Sequence, residues 1–190
     1  MHQPHSTLDS FLAFHCAPTL ANIKAANLMN LSKQEIPHLH AEIARFNRAP
    51  LAKNVRIRIL CECRKKALLL VYRPAKLQGE LHQPAHRALL AQFGYLSGAS
   101  LEELLTELAK RIQQGTEFPH EIGLFLGYPI EDVVGFIRCK GENFKFSGYW
   151  KVYGDEQKAK RLFASFTDCR NRFCEQISRG KTIFQILESA

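Results

Sequence analysis

No stretch of this chain approaches the roughly 18 consecutive apolar residues that a membrane-spanning helix requires. Several enzyme signatures are missing as well. There is no phosphate-binding Gly-x-x-x-x-Gly-Lys loop, no Gly-x-Gly-x-x-Gly, no Gly-x-Ser-x-Gly elbow and no His-Glu-x-x-His. Their absence disfavours ATP hydrolysis, dehydrogenation in a Rossmann fold and serine hydrolysis. The six cysteines form neither a Cys-x-x-Cys pair nor an iron–sulfur pattern. The opening Met1-His2-Gln3-Pro4-His5 lacks the basic region of a secretory signal. The expectation is a cytoplasmic protein with no membrane partner and with its cysteines as thiols.

What is present suits a packed globular core: 190 residues, 46% hydrophobic and 23% charged, and the length suits a single domain over residues 1–190. The net charge of +8 is segregated. Residues 55–76 hold 7 basic and 1 acidic group, residues 77–137 hold 3 and 8, and residues 138–181 hold 11 and 5. Two basic zones flanking an acidic middle create a field that attracts anionic partners, or else form a solvated surface.

Hydrophobic periodicity gives the coarse architecture. Residues 8–14 read as a helix with Ser6 as N-cap, and Pro18 suits the first position of a second helix running to about residue 29. Ser32 and Glu35 resemble a capping box ahead of the stripe Leu39, Ile43 and Phe46. The period then changes to two. Val55, Ile57, Ile59, Cys61 and Cys63 alternate with Arg56, Arg58, Leu60 and Glu62, and after Arg64-Lys65-Lys66 the apolar run 67–72 completes a β-hairpin. Further helices are expected over 84–93, from the Ser100–Glu103 box to Gly115, over 119–126 and 130–139, and from about 155 to 179. Residues 144–153 read as one bulged strand or a tight pair. The fold class is α+β, mostly helical, with a small antiparallel sheet.

Three groups of residues bear chemistry. His15-Cys16 precedes Pro18, and a thiol at the N-terminal edge of a helix meets the positive end of the backbone dipole, which favours its thiolate. The adjacent imidazole then serves as base or second ligand. The competing reading packs Cys16 as a small buried hydrophobe. His120-Glu121 follows Pro119 at another helix start; set beside the first pair, His15, Cys16, His120 and Glu121 would offer ligands for iron or zinc. The aromatic and basic stretch around Tyr149, Trp150 and Lys151 offers faces to stack a base, a flavin or a porphyrin, with lysine to hold its anionic groups, unless those rings are strand core. Cys61 and Cys63 share the side of Val55, Ile57 and Ile59 and read as core, as does Cys169 in the stripe of the last helix.

The strings His15-Cys16-Ala17-Pro18-Thr19-Leu20, His120-Glu121-Ile122-Gly123-Leu124-Phe125-Leu126-Gly127-Tyr128-Pro129 and Gly148-Tyr149-Trp150-Lys151-Val152-Tyr153-Gly154 resemble a bacterial domain-of-unknown-function family, met mainly in anaerobic Gram-positive bacteria. The resemblance spans nearly the whole chain and implies no established reaction. Genes for flavodoxins or iron handling near those of such proteins imply a redox or iron-related role.

The leading expectation is a redox- or iron-associated accessory protein, its site at His15, Cys16 and His120 ligating iron, zinc or haem or performing thiol chemistry. The alternative is a non-enzymatic binding module. In it Arg56, Arg58, Arg64, Lys65, Lys66, Lys158, Lys160, Arg161, Arg170 and Arg172 contact an acidic protein such as a flavodoxin, or nucleic acid, for which no motif is present.

Overall fold

The structure, a computed structural model, describes residues 8–50, 54–115 and 117–188. The Ser6 cap lies outside them. The described residues form α1 (Leu8–Leu20), β1 (Ala26–Ser32), α2 (Leu39–Arg48), β2 (Arg56–Glu62), β3 (Lys66–Tyr72), α3 (Pro74–Leu81), α4 (Pro84–Gln92), α5 (Leu101–Gln114), α6 (Ile122–Phe125), α7 (Ile130–Arg138), β4 (Phe146–Ser147), β5 (Lys151–Val152), α8 (Glu156–Ser178) and α9 (Ile183–Glu188). The fold is α+β, mostly helical, with a small antiparallel sheet. No described helix is long and apolar enough to cross a membrane.

The apolar run of β3 has no alternation because both of its faces are covered. It is the centre of an antiparallel sheet ordered β1-β3-β2. Ala67, Leu69 and Val71 join Met29, Leu31 and Ile57 in a core shared with α1, α2, α8 and α9. Leu70 and Tyr72 join a second core under α3 to α7. A layer of helices therefore lies on each face of three strands.

Two expectations at the start of the chain are corrected. Pro18 does not open a second helix; α1 continues through it to Leu20. Proline has no N–H to offer the Phe14 carbonyl, so α1 gives up one backbone bond in its last turn. The Arg73 guanidinium then donates to the carbonyls of Thr19 and Leu20, satisfying the end of the helix. Residues 26–32, read as helix through residue 29, are the strand β1, paired from Ala26↔Tyr72 to Ser32↔Lys66. That segment has no β-branched residue, and the open edge of β3 overrides its local preference.

In β2 the register shifts between Ile59 and Cys61. The bulge leaves Leu60 on the face of Arg56 and Arg58, where helices cover it and it is fully buried in the second core, and shifts the face of the residues that follow. It also corrects the cysteines: Cys61 is only half-buried and Cys63 is exposed. The expected Ser100–Glu103 capping box is complete, and Asp155 caps α8 through the Lys158 N–H at 2.9 Å.

Candidate functional site

Two strands of two residues each cannot hold together on their own backbone bonds. The β4–β5 hairpin is instead anchored by Asp132, in the first turn of α7 and 4% exposed. Its Oδ1 accepts the backbone N–H groups of Tyr153 and Gly154, each at 2.7 Å, and its Oδ2 accepts the Trp150 indole N–H at 2.7 Å. A buried carboxylate is tolerated when its oxygens are hydrogen-bonded in this way. The same three bonds fix the plane of Trp150. Its ring stacks on Tyr128 at 4.6 Å and meets Phe163 of α8 edge-on at 4.5 Å. Only glycine fits at position 148: a Cβ there would lie 2.4 Å from Phe163 ring atoms.

These contacts leave one side open. Between α6, α7 and the hairpin turn lies a cleft of about 370 Å³, with Phe118, His120, Tyr128, Phe136, Tyr149 and Trp150 among its walls and Asp132 and Lys151 at its polar points. Volume and lining are those of a small-molecule site: mostly apolar and rich in rings, with few polar groups. His120 is exposed and meets Phe136 edge-on at 5.0 Å. The Lys151 ammonium donates to the Gly141 carbonyl at 2.6 Å and sits 4.8 Å over Phe144; two of its three N–H donors remain for a ligand. Beyond Tyr128 lies Lys24, 6% exposed, its ammonium 5.0 Å from the Tyr128 ring. Burial lowers its pKa to about 8, against the opposing pull of Cys16 and Glu80. Burial likewise raises the Tyr128 hydroxyl to about 12.

The structure thus joins His120 to Tyr149, Trp150 and Lys151, a convergence absent from the expectations. It separates the rest. Glu121, next to His120, turns into the core at 2% exposure, accepts the Tyr95 hydroxyl at 3.2 Å and lies 3.8 Å from Arg111. Cys16 is not at a helix start. It lies near the end of α1 with no exposed surface, and desolvation raises its thiol to about 12, only partly opposed by Lys24. A thiolate there has lost its physical basis. His15, one step round the helix, is exposed, packs against Phe11 and Phe14, and is held below its ordinary pKa by burial and then by Arg170. Among the described residues no group of three or more His, Cys, Asp and Glu side chains is placed to hold a metal ion, so His15, Cys16, His120 and Glu121 are not a ligand set.

Part of the basic surface is engaged internally. Arg58 pairs with Glu102, Arg56 donates to the Asn47 carbonyl, Lys160 pairs with Glu156, and Arg170 lies over Phe14. Sequence reasoning missed Asp132, Tyr128, Phe118 and Phe136. An acid in a first helical turn and isolated aromatics are too common to mark a site; the only signal was their place inside or beside the strings around His120 and Trp150.

Comparison with the curated proteins and with solved structures finds no match. Residues 12–187 fit the family model described as protein of unknown function DUF3793, and the chain belongs to that family.

Proposed function

We propose that the protein is a ligand-binding module whose aromatic cleft takes a planar aromatic molecule bearing an anionic group, of the flavin or nucleotide kind. One observation carries this reading: six aromatic or imidazole rings line a cleft whose hairpin wall is fixed by a fully bonded buried carboxylate. Rigid ring faces favour stacking because little entropy is lost on binding. Lys151 at the cleft supplies the counter-charge. A flavin in this position keeps the redox association without asking anything of Cys16.

Trp150 is the single tryptophan of the chain, so its fluorescence reports on the cleft alone. Titration with flavin mononucleotide, and in parallel with adenosine monophosphate, should give saturable quenching by at least one of them. Tyr149→Ala should weaken that binding roughly tenfold, the loss of one stacking contact. Linear, non-saturating quenching by both compounds would remove the reading.

A further inference from the structure

The tip of the β2–β3 hairpin carries a second feature, independent of the cleft. Cys63 is exposed, and its Sγ accepts the Lys66 backbone N–H at 3.3 Å while its own N–H donates to the Lys66 carbonyl at 2.8 Å. The sulfur is therefore held against a fixed donor. Bonds from the Lys65 and Lys66 backbone, and then the charges of Lys33 and Lys66, hold this thiol below its ordinary pKa. The neighbouring Glu62 is paired with Lys33 at 2.6 Å and with His40 at 3.1 Å. Strand alternation sets Glu62 on the opposite face from Cys61 and Cys63. The half-buried Cys61 thiol is raised by burial and then by the charge of Cys63. Two residues of extended strand span about 6.6 Å, within the upper range of Cα spacings a disulfide accepts.

We propose that Cys63 is a thiol–disulfide exchange site for small anionic disulfides, with Cys61 as the resolving thiol. The Cys63 thiolate attacks one sulfur of the disulfide. A new S–S bond forms to Cys63 as the old one breaks, and one thiolate leaves with the electron pair to take a proton from water. Cys61 then loses its proton to solvent and attacks the Cys63 Sγ. The second thiolate departs, and a Cys61–Cys63 disulfide remains. Two protein thiols are oxidised and one small disulfide is reduced to two thiols, so the small disulfide is the only oxidant needed. Arg64, Lys65 and Lys66, consecutive at the tip, select anionic disulfides by raising their local concentration.

The experiment exposes the full chain to oxidised glutathione, an anionic disulfide, and separately to cystamine, a cationic one, and follows products by intact and peptide mass spectrometry. The wild type should acquire a transient adduct at Cys63 and then lose two hydrogens between Cys61 and Cys63. Glutathione should react roughly tenfold faster than cystamine at low salt, and the preference should shrink as salt is added. Cys61→Ser should accumulate the Cys63 adduct, and Cys63→Ser should abolish both products. A first adduct on another cysteine, or equal rates for the wild type and Cys63→Ser, overturns the site. A Cys61→Ser protein that accumulates no more adduct than the wild type overturns the resolving role, and faster reaction with cystamine overturns the selection of anions.

Discussion

Around Cys16 apolar side chains close in from α1, the sheet and α8, whereas around Trp150 the packing stops at one face and leaves a cleft. Both residues are buried, Cys16 at 0% and Trp150 at 8% exposure, yet their surroundings do opposite things. The thiol loses the charged form that would make it reactive, because the charge of Lys24 only partly offsets its desolvation. The indole keeps a polar partner in Asp132 and presents part of itself to the cleft. Burial silences a group whose chemistry requires charge and orients a group whose chemistry is a ring face.

The largest effect that separates the two regions should come from Trp150→Ala. Losing the ring between Tyr128 and Phe163 should destabilise the protein by about 3–5 kcal/mol in urea unfolding. A change below about 1 kcal/mol would mean that the hairpin wall stands without it. Asp132→Asn comes next, at about 2 kcal/mol. An amide has one acceptor oxygen, so its NH₂ would face the indole N–H that now donates to Oδ2. Unfolding midpoints compared with those of Trp150→Ala measure whether carboxylate and indole act as one unit.

The closed region is sharpened by pH. Lys24 has its pKa lowered from 10.5 to about 8 by burial, so the unfolded chain holds this proton more tightly. Its burial penalty is relieved as pH rises, and wild-type stability relative to Lys24→Met should increase between about pH 8 and 10.5. Cys16 is raised from 9.0 to about 12, so here the folded state holds the proton. Wild-type stability relative to Cys16→Ala should fall as pH climbs from 9 towards 12. Each slope is at most about 1.4 kcal/mol per pH unit, read from urea unfolding at a series of pH values. The absence of either slope would mean that the group reaches water. The smallest effect belongs to the open region: His120→Ala, at an exposed position, should change stability by less than about 0.5 kcal/mol while weakening flavin mononucleotide binding measurably.

Much of the fold was legible where local pattern and tertiary context agree. The β2–β3 hairpin, the Ser100 capping box and the buried stripe of α8 all follow from period and caps. The strand β1 was not, because Ala26-Asn27-Leu28-Met29 becomes a strand only through β3, forty residues away in sequence. The end of α1 failed for a related reason: proline favours the first position of a helix, and α1 runs through Pro18 to an end held by Arg73, just beyond the sheet strand β3. The Leu60 bulge, invisible to a strict period of two, moved Cys61 and Cys63 from expected core to the surface. At the site, Tyr149, Trp150 and Lys151 were named from the sequence, since aromatics beside lysine carry their chemistry in their composition. Their convergence with His120 depends on Asp132 joining two segments, a contact that no spacing encodes.

The most direct test of the cleft is the NMR resonance of the Trp150 indole N–H, the one such signal in the chain, followed as flavin mononucleotide is added. A saturable shift that Tyr149→Ala weakens is expected, with the amide signals of residues 12–17 in α1 unmoved. An indole signal that stays fixed while the α1 signals shift would place the ligand elsewhere and contradict binding in the cleft.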